Sequence, residues 1–364
     1  MFSGEFGYLI NARPGCQCPI FEIGKAILNR PCVILTDSVE EAESFFNRAL
    51  EPEGATAPRG GDKGRSPCDP ALARAFFGRK TVHSLTVPSV SFRERFRLLI
   101  LQEWAARSNL EMLTELQRGR AALPDGLVCA AVAGQGFLGR FDRSWQSVRG
   151  NLHAVIHLEP ALTLEQAGPA FSILAAVACV ESIRPMTSGA DGAMPDRSPL
   201  PRIKWINDVC IGPRKVAGVL TRQTYQDPHI TDVFLGIGVN VLAEPDLEPD
   251  RFVPAAGSLA SSLPRSEWSP GLFLAAFLER VDHWYDRLLT EGATSLVDAY
   301  RSHSSVLNRT VRIYEDGFRS SGEGSNRLVA RGRVMEILDD LSLRIDGVAG
   351  PIASGRLAFE ADCE

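Results

Sequence analysis

Three hydrophobic rhythms succeed one another along this chain, and each predicts a different element. The unbroken run Cys32–Leu35 reads as a buried strand, followed by a turn and a helix capped by Asp37 or Ser38. FRLLILQEW, from Phe96, predicts a second strand, and RSNLEMLTEL, from Arg107, a helix start. There Ser108 is the N-cap, and Glu111, three on, completes a capping box. GLVCAAVA (126–133) is another buried strand, and GNLHAVIHL (150–158) alternates as a strand does. Thr163 opens a long helix with Gln166 in the box position; Ala167, Phe171, Leu174, Ala175 and Ala178 share one face. DVFLGIGVNV (232–241) returns to strand. Ser269 and Pro270 start a further helix, with Phe273, Phe277, Val281, Trp284 and Leu288 on one side and Gly292 as its stop. After Asn308 come four short strands separated by Gly and Asp turns. They suggest a barrel of roughly 55–60 residues, too small to be comfortable without a neighbour.

Hairpins and helices occur in blocks without regular βαβ alternation, which predicts an α+β fold with a mixed or antiparallel central sheet. Three regions are expected. Residues 1–90 are an N-terminal region of unknown role that contains a Gly/Pro-rich loop at 51–70; 95–300 form the central α+β domain; 305–364 form the small barrel. A second loop is expected at 186–201.

Composition narrows the function. The net charge is −5, so no global basic field favours nucleic acid, and no helix-turn-helix is readable near the N-terminus. No apolar run reaches the ~18–20 residues that cross a bilayer, and the first residues do not read as a signal peptide. Eight cysteines in 364 residues do not make a disulfide scaffold. Cys129, Cys179 and Cys210 sit in apolar segments, which points to the reducing cytoplasm. Cys16, Cys18, Cys32 and Cys68 lack the paired spacing of a zinc site, and no metal-ligating set is expected. His153 and His157, four apart on a strand, would lie ~13 Å from each other, too far to share a metal.

The stretch KWINDVCIGPRKVAG, Lys204–Gly218, carries the first chemistry. A turn at Gly212-Pro213-Arg214 would fold Lys215 back beside the strand of Lys204. Two neighbouring ammoniums repel, and burying either is costly without an anion. A phosphate or carboxylate ligand between them would resolve this. Two snorkelling surface lysines would resolve it equally well. The second stretch, GQGFLGRFDRSWQSVRGNL (134–152), is a Gly-rich loop carrying Arg140, Arg143 and Arg149 around Trp145. Backbone N–H groups and guanidinium forks of this kind suit a phosphorylated ligand. Trp145 and Trp205 are equally readable as core residues. Gly236-Ile237-Gly238 ends a strand instead of opening a helix, so it is no dinucleotide fingerprint.

Together these stretches resemble the biotin protein ligase family, over about residues 95–364. The resemblance runs through Ser108-Asn109, then Gly139-Arg140, Arg143, Trp145, Ser147 and Gly150-Asn151-Leu152. It continues in Lys204-Trp205-Ile206-Asn207-Asp208, Lys215, Ala217-Gly218 and Gly236-Ile237-Gly238-Val239-Asn240. Phe137-Leu138 replace the family's first Gly-Arg, Asp142 a glycine, Arg107 a Ser or Thr, and Ile206 a proline. The resemblance implies a class II synthetase-like biotin/lipoyl ligase domain followed by an SH3-like barrel. It implies ATP and biotin as ligands, usually with Mg²⁺, and a biotin carboxyl carrier domain as partner. Lys215, Arg140, Lys204 and Asp208 would be catalytic. Ser108, Asn109 and Gln135 would grip the ureido ring. Gly139, Arg140, Arg143, Trp145, Asn207, Lys215, Gly218 and Gly236 would surround the adenylate. A lipoyl or octanoyl transferase, or a non-catalytic relative that binds a cofactor or carrier domain, stays open beside it. A homodimer is compatible with the sequence.

Overall fold

The computed structural model describes residues 32–47, 50–52, 70–86, 95–119, 121–140, 143–187, 200–263, 268–315 and 327–360. The readings on Cys16, Cys18, Cys68, Asp142, loop residues 53–69 and most of 186–201 lie outside these residues. The chain begins with β1 (Val33–Thr36), α1 (Val39–Phe46), β2 (Glu51–Pro52), α2 (Pro70–Phe77), β3 (His83–Thr86), β4 (Leu98–Ala105), α3 (Asn109–Arg118) and β5 (Val128–Gly134). Next come β6 (Leu152–Leu158), α4 (Leu164–Ala167), α5 (Ala170–Ile183), β7 (Pro201–Lys204), β8 (Asp208–Ile211), β9 (Arg214–Gln226) and β10 (His229–Val239). The last are β11 (Ala255–Ala256), α6 (Leu259–Ser262), α7 (Pro270–Glu291), α8 (Thr294–His303), β12 (Thr310–Tyr314), β13 (Leu328–Ile337), β14 (Leu343–Ile345) and β15 (Arg356–Phe359).

One sheet runs β2-β3-β1-β4-β5-β6-β10-β9-β8-β7, with β11 added on β9. Its pairings are antiparallel except β1–β4, β4–β5 and β11–β9, which are parallel. A single parallel β4–α3–β5 unit occurs, and with most other pairs antiparallel the sheet is mixed, without regular βαβ alternation. Strands from before residue 90 also join this sheet: Val33 pairs with Leu98 in the same layer.

Helices cover both faces. On one side α5 is buried almost all round against α7, α8 and the sheet, which suits its uniformly apolar sequence. Residues 164–183 are apolar enough to be considered for a bilayer, but most of them are buried inside the fold. The long helix expected from Thr163 is two helices: the Thr163–Gln166 capping box forms, and Gly168-Pro169 then breaks the run before α5. The opposite face is covered by α2 and α3, whose Phe76, Leu110 and Leu113 pack on Ile100, Val155 and Phe234. That cover stops short of the inward glycines of β9 and β10, and the cavity opens there.

The C-terminal strands form a small antiparallel sheet, β14-β13-β12-β15. It is fastened to the main body. Trp205 Nε1 donates to Leu341 O at 2.8 Å and Arg301 Nε to Ile337 O at 2.8 Å.

Candidate functional site

Four residues lie in one row across four strands: Asp208 on β8 opposite Gly218 on β9, Gly218 opposite Gly238 on β10, and Gly238 opposite His153 on β6. The two glycines leave a strip of bare backbone between a carboxylate and an imidazole. The Trp145 indole lies over this strip. A methyl group on Gly238 would sit 2.5 Å from Cε2 of that ring, and one on Gly218 would sit 3.4 Å from Cζ3. The loop that delivers Trp145 is closed on itself: Trp145 N–H donates to Phe137 O at 2.9 Å and Gly139 N–H to Arg143 O at 2.7 Å. Its base is pinned by buried Asn151, whose Oδ1 accepts from the backbone N–H of Val241, Leu242 and Ala243 at 3.0–3.2 Å.

The two lysines are arranged differently from the single hairpin expected. The Gly212-Pro213 turn forms, but a second turn at 205–207 separates β7 from β8, so Lys204 ends one strand and Asp208 starts the next. Asp208 Oδ1 is 2.6 Å from Lys215 Nζ. Burial alone would raise the Asp208 carboxyl, but Lys215, Lys204 and Arg143 outweigh it and hold it below the usual carboxylate range. An in-chain carboxylate thus offsets the lysine repulsion. The Lys204 side chain is buried and donates to Phe252 O. Burial pushes its ammonium below the ordinary lysine value, against the opposing pull of Asp208.

Above this floor is a cavity of about 270 Å³. Of the residues singled out from the sequence, Ser108, Gly139, Arg140, Arg143, Trp145, Asn207, Asp208, Lys215, Gly218 and Gly236 line it. Lys215 and Arg140, from distant segments, therefore share one cavity. The Lys215 ammonium lies 5.7 Å from the centre of the Trp145 ring, within cation–π range. Arg143 Nε donates to Arg140 O at 2.9 Å, which ties the two arginines into one turn. Asn207 Nδ2 donates to Val219 O and braces the second turn. Ser108 precedes α3 as expected, but its side chain makes no capping bond and faces the cavity.

Three of the predicted residues do not line the cavity. Lys204 sits behind Asp208, and Gln135 is exposed with Nε2 donating to Ala106 O at 3.2 Å. Asn109 is buried beside Ser108, and neither atom of its amide meets a hydrogen-bond partner among the described residues. A buried amide so placed costs about 1–3 kcal/mol unless a ligand meets it. Among the cavity residues that the sequence did not assign to the site are His153, Gly238, Asn240 and Arg356. Gly238 and Asn240 stand inside the quoted Gly-Ile-Gly-Val-Asn motif, so the signal for them was present. Arg356 arrives from β15, and nothing local marks it. It stacks on Phe252 and reaches Asp250 at 3.3 Å.

Of the three acidic side chains on the cavity wall, Asp208, Glu248 and Asp250, two are engaged within the chain, and one remaining carboxylate does not make a site for a resident divalent cation. Asp208 is taken by Lys215, and Asp250 accepts from Arg356 and from two backbone N–H groups. What the arrangement can do is hold a small anionic molecule with one apolar body: an indole wall, a bare backbone floor, and cations at one end.

The chain matches known proteins in the same region. The family model described as "Biotin/lipoate A/B protein ligase family" matches residues 104–240. The bifunctional ligase/repressor BirA of Bacillus subtilis is 29% identical over 193 residues, which are 52% of this chain and 55% of that protein. The biotin–[acetyl-CoA-carboxylase] ligase of Paracoccus denitrificans is 27% identical over 207 residues, 53% of this chain and 79% of that one. The chain thus spans about half the length of the Bacillus relative. The solved biotin protein ligase of Aquifex aeolicus, in complex with biotin and ATP, superposes with a TM-score of 0.51 at 19% identity. That match covers 72% of this chain and 98% of the other. It establishes a shared fold of mixed sheet and helices. Residues 104–240, which carry the glycine floor of the cavity, are thus the part of this chain that is similar to the biotin/lipoate A/B protein ligase family.

Proposed function

We propose that this chain is an ATP-dependent biotin–protein ligase that works in the cytoplasm and modifies a lysine of a biotin carboxyl carrier domain. The observation that carries the reading is the convergence of Lys215, Arg140 and Arg143 on one cavity walled by Trp145. In the first half-reaction an oxygen of the biotin carboxylate attacks the α-phosphorus of ATP, and pyrophosphate leaves. That step needs no enzyme nucleophile, only alignment and neutralisation of phosphate charge. Lys215 would bring carboxylate and phosphate together, with Arg140 and Arg143 over the nucleotide. Mg²⁺ would arrive on the nucleotide's phosphates. Ser108 and the unpartnered amide of Asn109 would take the polar ring of biotin, with Gln135 at the mouth. Gly139 and Gly236 would let backbone approach the ligand, and Gly218 makes room for the Trp145 indole. In the second half-reaction a neutral lysine amine of the carrier attacks the acyl carbon of the mixed anhydride, and AMP leaves. Asp208, held as a carboxylate by the lysines, would orient that amine, and Lys204 would stabilise Asp208.

The test is a mass-shift assay with purified protein, a biotin carrier domain, ATP and biotin. A gain of one biotinyl group on the carrier, with pyrophosphate released, is expected. Octanoyl transfer in a parallel reaction, with no biotinyl gain, would refute the reading in favour of a lipoyl-type transferase. Binding of biotin without pyrophosphate release would refute it in favour of a non-catalytic binder.

A further inference from the structure

The indole that walls the cavity rests on glycines, which offer no side chain to stop it sliding or tilting. Something else must fix it. Trp145 Nε1 donates to Nδ1 of His153 at 3.3 Å. His153 is almost wholly buried and stands in the same cross-strand row as Gly218 and Gly238, at the end opposite Asp208. Its other ring nitrogen, Nε2, faces Val148 O at 3.4 Å, and the Phe137 ring lies 5.4 Å away. A carbonyl can only accept, so the ring proton belongs on Nε2 and the lone pair on Nδ1. That neutral tautomer is the one able to receive the indole N–H.

We propose that His153 is a positioning residue of the ligand site: it accepts the Trp145 N–H and holds the indole flat on the Gly218–Gly238 floor, where the ring forms a wall of the cavity beside Lys215. Burial favours the same neutral form, pushing the ring's pKa down to about 4. Without this bond the indole tilts off the floor and Lys215 loses its aromatic neighbour. The choice of probe rests on the function proposed above, so the test has two independent readouts.

The first readout needs no ligand. In protein labelled with ¹⁵N at its indoles, the Trp145 Nε1–H resonance is identified by its loss in Trp145→Phe. It should move upfield in His153→Leu and stay near its wild-type position in His153→Asn, whose Oδ1 stands where Nδ1 stood. The second readout is isothermal titration with biotin. His153→Leu and Trp145→Phe should each weaken binding about tenfold, the scale of one lost hydrogen bond with its packing. The double variant should be no weaker than either alone, and His153→Asn should stay within about threefold. Should His153→Leu fail to fold, His153→Phe, which also lacks an acceptor for the indole N–H, takes its place in both readouts. An unmoved resonance in His153→Leu would overturn the proposal, as would additive losses in the double variant. A wild-type protein that shows the expected resonances yet binds no biotin would count against the ligase reading and leave the role of His153 supported.

Discussion

Replacing Gly238 with alanine would put a methyl carbon 2.5 Å from Cε2 of Trp145, 2.6 Å from Cζ2 and 2.8 Å from Nε1. Gly238 lies in a regular antiparallel strand and has no positive φ, so the backbone accepts alanine and the conflict is with the indole alone. Carbon atoms settle at about 3.5–4.0 Å, so the ring must rise by ~1 Å or more. The Trp145–His153 bond is already 3.3 Å long and does not survive that movement. Losing it costs about 1 kcal/mol, and forcing a methylene-sized group into a packed contact costs ~1–3 kcal/mol. The sum, ~2–4 kcal/mol, is shared between folding stability and ligand affinity. Gly218→Ala is the natural comparison. Its new carbon would be 3.4 Å from the indole and from Lys215, an ordinary contact. Urea unfolding and biotin-dependent pyrophosphate release should both rank the variants: Gly238→Ala worst, with kcat/KM down at least ~10-fold, Gly218→Ala milder. A Gly238→Ala protein as stable and active as Gly218→Ala would show that the indole does not rest on the floor.

Further expectations follow from individual contacts. Lys215→Ala should lower the rate of biotin-dependent pyrophosphate release by ~10²-fold or more, the scale of one pre-placed charge stabiliser, and an unchanged rate would remove Lys215 from the chemistry. Asp208→Asn leaves Lys204 and Lys215 without their shared carboxylate, so urea unfolding at neutral pH should show a loss of ~1–3 kcal/mol. Asn109→Leu removes a buried amide that has no partner among the described residues; the ligand-free melting temperature should rise while biotin affinity falls, and two changes of the same sign would contradict the assignment. The His153 ring takes its proton near pH 6.5 when unfolded but near 4 when folded. In that window the unfolded state therefore holds more protons, and stability, complete above pH 6.5, is lost as pH falls toward 4. The loss is at most ~3 kcal/mol, and His153→Asn should lack that part of the pH dependence in urea unfolding.

The cavity was legible where ligand contacts come from residues close in the chain. Arg140, Arg143 and Trp145 occupy one tight loop, and Lys215 and Gly218 share a strand, so spacing alone brings them together. Relations between strands were not legible. Nothing in Trp205-Ile206 marks a turn, since both are good strand residues, yet the turn there makes Asp208 the neighbour of both lysines. Pairing of Val33 with Leu98 spans 65 positions and depends on register that no local pattern encodes. His153 reads as one more alternating strand residue until its row across the sheet is known.

Local rules also fail at the edge of the cavity. Ser108 has the sequence of a capping box but makes no side-chain cap, Asn109 beside it keeps a buried amide without a partner among the described residues, and Lys204 keeps a buried ammonium. Each is a cost that a protein selected for stability alone would remove by a single substitution. Elsewhere the same kinds of signal behave as expected: Thr163, Ser258 and Ser269 all accept their capping bonds. Ser108 lines one cavity and Asn109 and Lys204 stand beside residues that do, and the rest of its wall is cationic and aromatic, which is where a bound ligand could meet groups that folding leaves unmet. If Asn109→Leu leaves biotin affinity intact, that link between local cost and ligand is broken, whatever the activity of the protein proves to be.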